Sequence, residues 1–177
     1  KHIWMAENLR VTKFRNGDKI PYLKDCPVEF ENLGFCVYNN IINKDSIAKH
    51  GILYGYYAID DKRNIAPEGW HIATKEEWHE LTNDTLNTFR GADWYTSTEK
   101  ISTTVNNSGL TLLPSGSRDP GGRFYSINEA FITYISGEIL TVDKQNILYT
   151  NSYAGNVSYF MAICMSSWFS VRCVKDY

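Results

Sequence analysis

Pro67-Glu68-Gly69-Trp70-His71-Ile72-Ala73-Thr74-Lys75-Glu76-Glu77-Trp78-His79-Glu80-Leu81 packs a turn, a short strand and a capped helix into one run. Pro-Glu-Gly is turn chemistry, because Pro presets φ and Gly admits φ > 0. Trp70 and Ile72 alternate around His71, as a short buried strand requires. Thr74 and Glu77 form a capping box, each side chain satisfying an orphan backbone N–H. Trp78 and Leu81 then share one helix face, which Leu86 and Phe89 would continue. The stretch places a fold but holds no catalytic arrangement.

On the N-terminal side, Trp4 to Leu23 reads as strand, hairpin and strand, with Asn16-Gly17 as a type I′ turn needing φ > 0 at both residues. Leu9 and Val11 face Ile20 and Tyr22 across it. Lys24 to Asn43 is irregular, tethered by Leu33, Phe35, Val37 and Tyr38. Ser46 to Asp60 fits either a short helix or a buried strand. On the C-terminal side, Thr82 to Gly109 is polar, Leu110 to Leu113 is a short strand, and Pro114 to Gly122 is a turn-rich loop. The remainder is a series of short β runs ending in an expected hairpin around Ser166-Ser167. The pattern is α+β: an N-terminal hairpin, two helices and a small, mainly antiparallel sheet in a single 1–177 domain.

The totals exclude several functions. Eighteen basic and twenty acidic residues are dispersed over 177 positions, for a net charge of −2. Nucleic-acid binding and basic membrane-surface helices lack their electrostatic footprint. No apolar run approaches about 18 residues, so no transmembrane segment is expected. The start at Lys1 without Met reads as a processed piece. The aromatics are numerous, with 12 Tyr, 8 Phe and 5 Trp; each reads first as core, and an excess beyond core needs would suit a surface that binds sugars, peptides or proteins. Cys26, Cys36, Cys164 and Cys173 form no C-x-x-C; they are either paired as Cys26–Cys36 and Cys164–Cys173 or reduced and buried.

Six motifs in order carry a resemblance: Trp4 to Leu9, Asn16 to Pro21, His50 to Ala58, Pro67 to Trp78, Gly109 to Asp119 and Ser170 to Asp176. Together they resemble the Fibrobacter succinogenes major paralogous domain over nearly the whole chain. The resemblance implies a C-type-lectin-like fold, a helix over Leu53 to Asp60, and a secreted or outer-membrane-surface setting in Bacteroidetes-type bacteria. Many such proteins are lipoproteins, so it also implies a lipid anchor outside this chain. It carries no activity to any residue. Members usually have Trp-Trp-Ser/Thr-Ser after the Arg-Asp loop; here Glu129 to Ile135 stands instead, so that surface differs.

Each chemical reading has a plainer rival. Lectin-type calcium binding needs several oxygen ligands on a rigid loop, and neither Glu-Pro-Asn nor Gln-Pro-Asp occurs. His71, His79, Glu76 and Glu77 are the densest set of metal-ligand types, yet no His-Glu-x-x-His exists. Cys164 and Cys173 lack the spacing and the activating neighbour of a reactive pair. Arg118 and Asp119 read as a ligand anchor or, more simply, as an ion pair or cap pinning the loop. Arg172 reads as a strand residue buried by its stem. Trp94, Tyr95 and Tyr125 offer stacking faces or pin loose loops.

The expected site is therefore Trp94, Tyr95, Arg118, Asp119 and Tyr125, with no catalytic residue, metal or cofactor. The expected role is a non-catalytic surface module recognising a glycan or a surface protein. A structural or assembly domain is the alternative, and an enzyme ranks last.

Overall fold

In the computed structural model, residues 2–25, 33–82, 109–136, 145–151, 158–162 and 167–177 are described. The Pro67–Leu81 stretch folds as its chemistry requires. Trp70 N–H donates to the Pro67 carbonyl at 3.0 Å, with Gly69 at φ 75°. Strand β3 (Trp70–Ile72) follows, and then helix α3 (Lys75–Thr82). Thr74 N–H donates to Glu77 Oε2 at 2.9 Å while Glu77 N–H donates to Thr74 Oγ1 at 3.2 Å, so both halves of the capping box are made. Trp78 is fully buried against Trp4 and Phe131, with ring centroids 4.5 and 5.9 Å away. Leu86 and Phe89 lie outside the described residues.

The strands expected over Trp4 to Leu23 do not form; the hairpin is reduced to a tight turn closed by the isolated bridge Lys13–Lys19, and that turn differs from the expected type I′. Gly17 N–H donates to the Phe14 carbonyl and Phe14 N–H to the Asp18 carbonyl, both at 2.9 Å. Of the two central residues, Gly17 alone has positive φ, at 93°. This is a three-residue connection with a left-handed glycine. Asn16 Oδ1 accepts from Asp18 N–H at 3.0 Å, which holds Asn16 on the ordinary side of φ.

The ambiguous Ser46–Asp60 region resolves into three elements. Helix α1 (Lys44–His50) starts where Asn43 Oδ1 accepts from Asp45 and Ser46 N–H, at 2.9 and 3.0 Å. Strand β2 (Leu53–Gly55) and helix α2 (Tyr56–Ile59) follow. The described residues thus hold three α-helices rather than two, and Leu53–Gly55 is strand where a helix was implied. Burial decides this: Leu53 and Tyr54 sit in the sheet at 2% and 0% exposure.

Among the described residues, eight strands form one mainly antiparallel sheet, confirming α+β. They are β1 (Phe35–Cys36), β2, β4 (Ser115–Arg118), β5 (Phe124–Ile127), β6 (Ala130–Tyr134), β7 (Gln145–Asn151), β8 (Ser158–Ala162) and β9 (Trp168–Val171). The main order is β1-β2-β9-β6-β7-β8, with β4 joining β5 to β9. A second, two-stranded sheet pairs β3 with β10 (Cys173–Lys175). Three expectations fail here. Leu110 to Leu113, expected as a strand, forms none. The loop expected over Pro114–Gly122 contains strand β4, because Ser115 reaches buried Ser170 and Arg118 pairs with Phe124 and Trp168 in the sheet. The final hairpin does not form: β8 pairs with β7, while β9 lies centrally, antiparallel to β2 and parallel to β6. Cys36 and Cys173 are buried, and Cys26 and Cys164 lie outside the described residues, as does the one of the expected short β runs that spans Ile139 to Val142.

The chain ends are sewn together. Met5 N–H donates to the Cys173 carbonyl at 3.0 Å, Leu9 N–H to the Val171 carbonyl at 2.7 Å, and Lys175 N–H to the Ile3 carbonyl at 2.9 Å. Between β9 and β10, Arg172 is 1% exposed. Its Nε and Nη2 donate to Asn8 Oδ1 at 3.1 and 2.8 Å, and its Nη1 to the Met5 and Leu110 carbonyls at 2.8 and 3.1 Å. Burial lowers its pKa to about 9, since the cation is held away from water. Arg172→Met should strand these acceptors, each worth about 1–3 kcal/mol when buried without a donor. Urea unfolding followed by tryptophan fluorescence should show a loss of about 3–5 kcal/mol. A loss under about 1 kcal/mol would show that the guanidinium does not stabilise the closure.

Candidate functional site

The expected site residues that can be placed lie at the β4–β5 hairpin. Asp119 N–H donates to the Arg123 carbonyl at 2.8 Å, and Gly122 N–H to the Asp119 carbonyl at 3.0 Å, closing the turn. The Asp119 carboxylate then organises what lies above it. Its Oδ1 accepts from Arg123 N–H at 2.8 Å and its Oδ2 from the Tyr125 hydroxyl at 2.9 Å. Desolvation works to raise the Asp119 pKa, but these hydrogen bonds outweigh it and hold the pKa below the ordinary value. The bond to Asp119 in turn raises the Tyr125 hydroxyl. Tyr125 remains 42% exposed, so its ring is presented while its tip is fixed.

Arg118 does not join this surface. It is 3% exposed and donates to the Leu23, Lys24 and Gly122 carbonyls at 3.1, 2.8 and 3.3 Å. Its guanidinium lies over the Phe124 and Trp168 rings, 5.1 and 5.7 Å from their centroids. Asp119 bonds Arg123 and Tyr125 rather than its sequence neighbour. Gly116, at φ 62°, lets the strand pass: a Cβ there would fall on the Tyr125 carbonyl and within 2.8 Å of the Tyr38 ring. Asp119 and Tyr125 are thus brought together and Arg118 supports them from below. Trp94 and Tyr95 lie outside the described residues.

Two further groupings escaped sequence reading. His71 stands between two carboxylates, with Nδ1 2.7 Å from Asp176 Oδ1 and Nε2 2.9 Å from Glu77 Oε1. His2 Nε2 lies 3.2 Å from Glu80 Oε2, and the Tyr177 hydroxyl lies 3.2 Å from His2 Nδ1. The capping carboxylate of α3 therefore also holds the C-terminal segment through His71. The spacing of His71 and Glu77 in sequence carried the signal, but Asp176 arrives only through the β3–β10 pairing. Among the described residues no three such side chains gather to hold a metal. Burial moves the Cys173 thiol to about 12, away from nucleophilic use. The second grouping is a groove of about 430 Å³ bounded by Glu7, Asn8, Asp45, Lys49, Thr111 and Arg172. An arginine inside the apolar run Phe169–Val174 was its one trace in the sequence.

A family model described as the Fibrobacter succinogenes major domain matches residues 1–175. No curated protein and no solved structure matches the chain. Among the described residues, no helix is long and apolar enough to cross a membrane.

Burial disfavours charge on His71, but the hydrogen bonds to Asp176 and Glu77 outweigh it and raise its pKa above the ordinary 6.5. A raised folded pKa contributes stability that is full below the unfolded value and is lost as pH climbs through the folded one. The melting temperature should therefore fall as the pH rises past the ordinary 6.5, and His71→Gln should flatten that slope. An unchanged slope in the variant would show that another group governs it.

Proposed function

This chain belongs to the Fibrobacter succinogenes major domain family, and on that premise we propose that it is a non-catalytic binding module. It recognises a glycan or a protein partner by aromatic stacking and hydrogen bonds, without calcium. The observation that carries this reading is Tyr125, an exposed ring whose hydroxyl is held 2.9 Å from Asp119 on a closed turn. A ring fixed in advance loses little entropy on stacking against a sugar or a side chain. The second carboxylate oxygen and the neighbouring backbone supply polar contacts.

The motif resemblance supports a C-type-lectin-like reading of the α+β fold. It also supports placement outside the cell, in a secreted or lipid-anchored surface protein with adhesive function. A structural or assembly role is the second reading. It is favoured by Ile41 and Ile42, adjacent apolar side chains that are 59% and 73% exposed before α1.

A glycan array probed with and without a chelator tests the first reading. A specific hit that persists under chelation is expected. Tyr125→Ala should weaken it about tenfold while leaving the melting temperature unchanged, because the side chain lies outside the core. A hit lost on chelation would overturn the calcium-free mechanism. Full binding by the variant would remove Tyr125 from the site.

A further inference from the structure

The groove beside Arg172 shares no lining residue with the Tyr125 hairpin, and its chemistry is incomplete. A guanidinium has five N–H donors. Four are accounted for, and every acceptor is a neutral oxygen: Asn8 Oδ1 twice, the Met5 carbonyl and the Leu110 carbonyl. Among the described residues no carboxylate accepts from Arg172, and one N–H on Nη2 is left over. A cation 1% exposed and without a hydrogen-bonded carboxylate is costly, and the nearby Glu7 charge offsets only part of that cost. Buried charges are ordinarily paired in direct contact, so a carboxylate at hydrogen-bond distance is what Arg172 lacks.

The rim points the same way. Thr111 sits at φ 49°, a region that a β-branched residue rarely adopts and that concentrates at ligand clamps. The groove is also lined by Glu7 and Asp45. The wall charges are mixed, because Lys49 stands beside these carboxylates and Glu7 is also paired with Arg10. A molecule carrying both charges would satisfy each end, with a carboxylate towards Arg172 and an ammonium towards Glu7 and Asp45. A volume of about 430 Å³ lies in the lower range of small-ligand pockets.

We propose that this groove binds a small zwitterion of the α-amino-acid or short free-peptide class, its carboxylate meeting the spare N–H of Arg172 and its ammonium meeting Glu7 and Asp45. The site is independent of the Tyr125 surface, and either can fail alone.

The test uses the full chain, isotope-labelled, with NMR of the Asn8 side-chain amide as the readout. The probes are single free amino acids, triglycine, triglycine C-amide and N-acetyl-triglycine. Saturable shifts with at least one free amino acid or with triglycine are expected, and which of the two binds distinguishes the sources. For a peptide ligand the C-amide should bind at least about tenfold more weakly, as loss of a charge-assisted hydrogen bond requires. Ala48→Trp, at an exposed position of α1 on the groove wall, should fill the groove and abolish binding. Asp45→Asn provides a second check. It should weaken binding of the free-amine probe while leaving the N-acetyl probe unaffected, and Tyr125→Ala should leave both unchanged. No saturable shift with any probe would overturn the proposal. So would equal binding of the amide, or undiminished binding by Ala48→Trp.

Discussion

A guanidinium held out of water at Arg172 closes the domain. It sits between β9, the central strand, and β10, the strand that pairs with β3. From there it reaches Met5 and Asn8 in the N-terminal segment and Leu110 ahead of β4. Three stretches far apart in sequence are thereby fastened by one side chain. The geometry suits arginine because its planar fork can meet three acceptors at fixed angles, which a lysine ammonium cannot reproduce. The backbone bonds Met5–Cys173, Leu9–Val171 and Lys175–Ile3 run alongside, so the ends and the centre of the fold are held together.

The rest of the molecule follows from the position of β9. Trp168 is flanked by Gly55 on one side and Arg118 on the other, and Ser170 by Thr133 of β6. Hydroxyls take the place of apolar packing at this crossing. Ser115 Oγ lies 3.1 Å from Ser170 Oγ, and Thr133 Oγ1 donates to the Ser170 carbonyl at 3.2 Å. Such a buried polar network favours one register over its neighbours, because a slip would leave each hydroxyl without a partner. It also explains how Ser-Gly-Ser-Arg becomes a strand. Once β4 is fixed, the turn at Asp119 and the presentation of Tyr125 are fixed with it.

The candidate surfaces differ in how far they could be read in advance. Asp119 and Tyr125 were accessible because turn residues followed by an aromatic announce a loop that can carry function. Arg118 was drawn into the same group by adjacency, but alternation in β4 sends it inwards while Asp119 leaves the strand. Trp94 and Tyr95 belong to a segment outside the described residues. The Arg172 groove was not legible, since Glu7, Asp45, Thr111 and Arg172 are brought together only by the folded chain. Likewise His71 and Glu77 are close in sequence, but Asp176 joins them through pairing across the whole domain.

The local elements were set by the chain's own chemistry. Thr74 and Glu77 cap α3, Asn43 caps α1, and Gly17 and Gly69 turn the backbone where φ must be positive. Each needs only neighbours a few residues away, so the α3 cap and the glycine turns were legible in the sequence, while the Asn43 cap went unread there. The α+β class and the membership carried by six ordered motifs follow from the same local grammar. Tertiary structure alone decided the β4 strand, the separation of β8 from β9, the burial of Arg118 and the partners of Arg172, whose burial the sequence had suggested. The physical reason is that strand pairing and charge burial depend on partners from distant segments, and local periodicity carries no record of which partner will arrive.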